Sequence, residues 1–310
     1  MGETGRLFGD LWHRYDDELF EESVALFARR FEANGFDLSW FRGKRCLDAG
    51  CGGGRYSIAM ARLGAEEVIG CDVSSEGIRD CRRRATGMRA VSFEVASVLQ
   101  LPFANESFDF VCSSGVLHHT ADPAQGLREI TRVLRPGGRV FLLLYGARGL
   151  RWPTIIALRP YAHALGYAAV DYAMREAELP ANKQRTFLDD LFVPLIAFYE
   201  WADVHRMLAD NGYSDITRWE RGKLDHEASV EVQRAELEQL GRIFETGVRK
   251  EVPGFKDHLE AARAASGAIS AAVATLDLTV ADYERGRLKR QELEKIVFGA
   301  GHHRVLAVKR

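Results

Sequence analysis

Cysteine is scarce and carries no pattern: the 310 residues hold five, Cys46, Cys51, Cys71, Cys81 and Cys112. No two form a CxxC pair and none has a histidine beside it at metal-ligand spacing, so no metal site is expected and the thiols read as small buried side chains. Net charge is almost absent as well. With 42 Lys and Arg against 44 Asp and Glu the balance is −2, which argues against a general nucleic-acid binder, because phosphate neutralisation needs a basic excess or a basic face. The run Arg79, Arg82, Arg83, Arg84 and Arg89 could make such a face, but its ordinary reading is a solvated helix surface. Long apolar runs are missing too. The opening Met1-Gly2-Glu3-Thr4-Gly5-Arg6 has no hydrophobic stretch of signal-peptide length and no Ser or Thr where a myristoylation signal needs one, so a cytoplasmic protein is expected. Residues 148–200 are rich in apolar side chains but are broken by Arg159, His163 and Asp171, and no membrane span is expected.

What the chain does have is glycine in one patterned place. Cys46-Leu47-Asp48-Ala49-Gly50-Cys51-Gly52-Gly53-Gly54-Arg55 reads as a strand running into a tight turn, with a helix from about Arg55 whose free N–H groups face whatever lies over the turn. Tyr56 to Leu63 is helix-like, and Glu67 to Asp72 reads as a second strand ending in a carboxylate. This is a βαβ unit with an acidic residue placed for ribose hydroxyls, which suits any adenosine-type ligand, nicotinamide cofactors included. Asp48 discriminates among them. A carboxylate so close to the loop repels a pyrophosphate and suits an ammonium group, such as the methionine end of S-adenosylmethionine.

Asp48-Ala-Gly50-Cys-Gly52-Gly-Gly54 resembles the Asp/Glu-x-Gly-x-Gly-x-Gly motif of class I S-adenosylmethionine-dependent methyltransferases. Three further segments are similar to that family in order: Leu101-Pro102-Phe103 with Ser107-Phe108-Asp109-Phe110-Val111, then Val116-Leu117-His118-His119, then Leu134-Arg135-Pro136-Gly137-Gly138. The resemblance is strong over residues 40–147 and weak over 200–220 and 300–310. It implies an α/β fold, a Rossmann-like sheet with helices on both faces, and S-adenosylmethionine as cofactor. The cofactor residues it implies are Asp48, Gly50, Cys51, Gly52, Gly54, Asp72, Val73, Ser97, Val98 and Ser113. Ser97 departs from the family, since many relatives carry an acidic residue there to accept the adenine amino group, and a serine hydroxyl is a weaker acceptor.

The chain order supports this organisation. Phe8, Trp12, Tyr15, Leu19, Phe27 and Phe31 recur near helical spacing, which predicts an N-terminal helical cover over 1–40; the stripe is either core or, with Trp12, His13 and Tyr15, part of the cofactor site. The core follows at 41–147, with strands near 45–49, 67–72, 91–95, 108–113 and 138–145 and helices at 55–63, 75–85 and 123–134. A helical cap is expected over 148–200 and a core helix and strand over 201–222. A second helical insertion is expected over 223–300, with small residues from Ala261 to Ala274 that allow close packing, and a closing strand over 301–310. The insertions lie beside the site or in the interface of a possible homodimer.

Methyl transfer from a sulfonium is an in-line displacement, so a base is optional. His119, just after the fourth strand, is the first candidate for one and His118 the second; both also read as residues that pack the turn. Ubiquinone-type O-methyltransferases, which the chain resembles here, carry Glu-His at this place, sometimes with a metal; His118 replaces the Glu and no metal is carried over. Tyr145 and Tyr199 are candidate substrate contacts. Asp190 with Pro194 resembles an Asp-x-x-x-Pro stretch of some small-molecule members, or is a helix cap and a turn proline. The leading expectation is methylation of a small ring-bearing or hydrophobic molecule at a hydroxyl or amine. Methylation of a macromolecule and non-catalytic cofactor binding in an assembly are the other two readings.

Overall fold

Short, nearly continuous apolar runs, the mark of strands buried on both faces, build a seven-stranded sheet in the computed structural model, which describes residues 17–220 and 229–310. Its strands are β1 (Arg45–Ala49), β2 (Glu67–Asp72), β3 (Val91–Val95), β4 (Phe108–Ser114), β5 (Leu134–Tyr145), β6 (Tyr213–Trp219) and β7 (His302–Lys309). Their order is β3-β2-β1-β4-β5-β7-β6. The first five are parallel, and β7 runs antiparallel between β5 and β6. Register places Asp48 beside Gly70 and Cys112, and Tyr145 beside His302.

The helices of the sheet unit are α1 (Asp17–Ala33), α2 (Arg55–Arg62), α3 (Ser75–Arg84), α4 (Pro123–Val133) and α8 (Trp201–Asp210). Each strand feeds two cores. Phe110 and Cys112 of β4 and Phe141 of β5 face Phe27 and Phe31 of α1, with Phe41 and Trp219. Phe108, Val111 and Leu142 face Leu127 and Ile130 of α4 and Val204 of α8. Both faces of a parallel sheet are thereby covered. The Phe31 ring meets Trp219 edge-on at 4.6 Å, so the aromatic stripe of α1 is core. The cofactor-lining part of that expectation rested on Trp12, His13 and Tyr15, which lie outside the described residues.

The chain divides into two compact units: the described parts of Met1–Gly146, Pro194–Lys223 and His302–Arg310, and those of Ala147–Val193 and Leu224–Gly301. The second unit is all helical, with α5 (Arg151–Leu165), α6 (Tyr167–Glu176), α7 (Ala181–Phe192), α9 (Val230–Arg249), α10 (Leu259–Glu284) and α11 (Arg290–Val297). Both sequence insertions therefore contribute to one body. Residues 194–200, read above with the first insertion, belong to the sheet unit instead. Inside the helical unit a buried charge group ties three helices. Arg151 of α5 donates to Asp190 of α7 at 2.5 Å and to Glu236 of α9 at 3.2 Å, and Lys183 reaches Glu236 at 2.5 Å.

Candidate active site

The glycine turn is built as its spacing predicts. Gly50 and Gly54 sit at φ +84° and +79°, a region that side chains with a Cβ avoid. A Cβ on Gly50 would lie 2.3 Å from Cγ2 of Val116, so the turn packs directly on the segment after β4. The Gly50 and Cys51 amides both donate to the Cys71 carbonyl, at 2.8 and 2.9 Å. That ties the loop to the end of β2. Helix α2 starts at Gly54 with no side-chain cap, which leaves its first N–H groups for a ligand.

Two carboxylates flank the turn and have different surroundings. Asp48 is buried and accepts from the Ser57 hydroxyl at 2.7 Å. Burial pushes its carboxyl up to about 6, against the lowering effect of Ser57 and Arg55. Asp72 is half-buried at the end of β2, where it accepts from the Gly52 amide at 3.0 Å and the Ser74 amide at 2.9 Å. Burial raises its carboxyl also. A buried carboxylate whose charge an adjoining cation would stabilise, and another with lone pairs left for hydroxyls, suit the ammonium and ribose of S-adenosylmethionine.

The remaining cofactor candidates line up along the same carboxyl edge of the sheet. The Ser97 hydroxyl accepts from the Leu99 amide at 3.2 Å, so one lone pair is used locally and one is left. Val98 is buried and Val73 is exposed. Ser113, at the end of β4, is buried, and its hydroxyl has no hydrogen-bond partner among the described residues. An orphaned buried hydroxyl one residue past the strand partner of Asp48, together with an uncapped helix start and two carboxylates on the same carboxyl edge, fits S-adenosylmethionine. The five cysteines are buried and free, with Cys71 pushed up to about 12 by burial, so its thiol stays protonated.

Beyond β4 the segment Leu117–His119 forms one 3-10 turn with both histidines buried. The His118 ring lies tilted over Tyr145, ring centroids 3.9 Å apart and planes at 31°, and its centroid is 4.2 Å from that of His119. Neither ring nitrogen of His118 has a hydrogen bond among the described residues. Burial first, then His119 and His302, hold its imidazole well below the ordinary histidine range, so it stays neutral. His119 differs. Its Nδ1 lies 2.9 Å from the Leu195 carbonyl. A carbonyl only accepts, so Nδ1 carries the proton and Nε2 is left with a lone pair.

Tyr145 joins this group through His119, His302 and Phe198. Tyr199 is held to it by backbone: its amide donates to the Tyr145 carbonyl at 3.0 Å, and its own carbonyl accepts from Nε2 of His303 at 2.8 Å. Burial holds the His303 ring down to about 4 and raises the Tyr199 phenol. Asp190 stands in the helical unit, with its carboxylate on Arg151. Sequence reasoning did not single out Ser57, Leu195, Phe198, His302 or His303. Ser57, one turn into α2, could have been found from the helix period. His302 and His303 depend on the strand register that sets His302 beside Tyr145, and Leu195 and Phe198 on a connection whose Ala197 and Tyr199 amides donate to the His118 and Tyr145 carbonyls. Among the described residues no group of three or more His, Cys, Asp or Glu could hold a metal ion. Four arginines of the run are engaged within the chain: Arg82 donates to the Phe93 carbonyl, Arg84 pairs with Asp17, and Arg79 and Arg83 pair along α3.

Comparison with known proteins matches residues 47–142 to a methyltransferase domain. The 27-O-demethylrifamycin SV methyltransferase of Amycolatopsis mediterranei is 35% identical over 156 residues, 47% of this chain and 56% of that protein. A ubiquinone biosynthesis O-methyltransferase of Ralstonia nicotianae is 35% identical over 142 residues, 43% of this chain and 57% of that protein. The tRNA U34 carboxymethyltransferase of Campylobacter hominis is 36% identical over 102 residues, 33% of this chain and 36% of that protein. The matched region thus spans little more than half of these relatives, or less.

Proposed function

From the premise that this chain is a class I S-adenosylmethionine-dependent methyltransferase, we propose that it methylates a hydroxyl of a small, ring-bearing or hydrophobic molecule, with His119 as the base. The observation that carries this reading is the Nδ1 contact of His119 to the Leu195 carbonyl, which fixes the tautomer needed to accept a proton at Nε2. The two O-methylating or rifamycin-modifying relatives support a small acceptor.

When bound, S-adenosylmethionine supplies a methyl group on a sulfonium. Asp72 would hold the ribose hydroxyls, Ser97 the adenine amino group, and Asp48 the ammonium, with the Ser113 hydroxyl beside them. Asp48 lies 2.7 Å from the Ser57 hydroxyl, so its carboxylate is oriented before a ligand arrives. His119 takes the proton of the acceptor hydroxyl as the oxygen becomes nucleophilic. His118 and Tyr145, in close ring contact and apolar in behaviour, form a shelf that favours a ring and keeps water from the reacting oxygen.

Two measurements test this. Calorimetric titration with S-adenosylmethionine and with NADH should give micromolar binding of the first alone, lost in Asp72→Ala. Methyl transfer to a panel of phenols and amines should then fall by about 10²-fold or more in His119→Ala, the range of general-base catalysis, with cofactor affinity unchanged. Transfer to phenols that is indifferent to His119→Ala would remove the base assignment. Transfer only to tRNA would replace the small-molecule reading.

A further inference from the structure

Helix α10 is long and apolar enough to cross a membrane by length and composition, yet only 22% of its apolar window is buried. One face is spent on packing. Ala262, Ala265, Ile269, Ala272, Leu276 and Thr279 are buried, against α9, α5 and α11. The opposite face is exposed and patterned: Glu260, Gly267, Ala271, Ala274, Leu278 and Arg285 fall on one line at the three-and-four spacing of an antiparallel helix pair. Leu278 is 67% exposed, and nothing lies within 4 Å of where a Cβ on Gly267 would sit.

We propose that this face pairs with the same face of a second copy, α10 against α10, antiparallel about a two-fold axis level with the Ala272–Val273 peptide of each helix. That single register seats Leu278 over Gly267 and Ala271 against Ala274. The same register sets Glu260 opposite Arg285 and Arg263 opposite Asp282, so every charge at the ends of the seam meets its opposite. Each contact occurs twice by symmetry. Among the described residues Glu260, Arg263 and Arg285 have no ion pair within the chain, while Asp282 is held by Arg287 at 3.1 Å. The small residues let two backbones approach closely, and the exposed leucine fills the space that the glycine leaves. A protein partner suits this face better than lipid, because Asp277 lies inside the apolar stretch and keeps its ion pair with Arg234 of α9.

Sedimentation equilibrium of the full chain tests the pairing. The wild type should dimerise at micromolar concentration. Gly267→Leu fills the seat of Leu278 without a clash inside its own chain. Glu260→Arg sets two arginines opposite two others, and each of these variants should raise the dissociation constant by about tenfold or more. Glu260→Arg with Arg285→Glu exchanges the charges and should restore dimerisation, which a merely damaged helix would not do. A monomeric wild type, a dimer indifferent to both single variants, or a failure of the double variant to recover would overturn the proposal. So would a monomer that binds phosphatidylcholine vesicles and loses that binding in Leu278→Glu, which would give the face to a bilayer.

Discussion

Asp48→Asn should make the cofactor-free protein more stable at neutral pH while weakening it as a receptor for S-adenosylmethionine. Burial lifts the Asp48 carboxyl from its ordinary 3.8 to about 6, so holding it ionised above pH 7 costs the fold about 3 kcal/mol at about 1.4 kcal/mol per pH unit. The folded protein keeps this proton to higher pH than the unfolded chain does. Wild-type stability therefore falls as pH rises from 3.8 to about 6 and is level beyond. Asparagine keeps an oxygen to accept from Ser57 but brings an amide that needs its own partner, which leaves a net gain of about 1–3 kcal/mol. The assay is urea unfolding of both proteins without cofactor between pH 4 and pH 8, with calorimetric titration at pH 7.5. The variant should lie level with the wild type or up to about 2 kcal/mol below it near pH 4, gain on it through pH 6, and bind the cofactor about tenfold or more weakly for want of an anion beside the ammonium. A variant less stable than the wild type at pH 7.5, or an advantage that does not shrink toward pH 4, would refute the account of Asp48 as a penalised charge.

Gly50→Ala should cost about 2–4 kcal/mol, through a Cβ driven against Val116 at a positive φ, and should abolish cofactor binding. Adding Val116→Ala should return the steric share but not the backbone share, read from thermal unfolding of the single and double variants. Arg151→Ala leaves Asp190 and Glu236 buried beside one fewer cation, and should destabilise the helical unit by about 3–5 kcal/mol in denaturant melts. Replacing Arg151 and Asp190 together by methionine and leucine should cost much less, because no charge of that pair is then stranded.

The parallel half of the sheet was legible because its signals are local. The glycine turn and the Asp72 strand end each lie within one βαβ step, whereas Leu134–Gly138, read as a turn before a strand at 138–145, is already the start of β5. The two histidines were found, but not their difference. That difference comes from the Leu195 carbonyl, in a connection that the Ala197 amide ties to the His118 carbonyl at 2.9 Å, while the antiparallel pairing of β5 with β7 sets His302 beside Tyr145. The helical unit was harder to read. Asp190 reads as a substrate contact or a helix cap, Glu236 carries no signal of its own, and nothing within either segment announces that Arg151 will stand between them. For the same reason the edge of the first insertion fell at 193 and not at 200: amphipathic spacing gives helices, not the body to which a connecting loop belongs.

The place of β7 in the sheet bears on how the protein is made. β5 presents Val140-Phe141-Leu142-Leu143-Leu144 along its length, and among the described residues its outer edge is paired by β7 alone. His302 leaves the ribosome long after Tyr145, so throughout synthesis of the helical unit a nearly uncharged strand edge stands open, with the composition that adds foreign strands most readily. Productive folding of this chain is therefore a race between its own late strand and its neighbours'. Slowed translation or crowding on one message should show up first as aggregation of chains that carry β5 and lack β7.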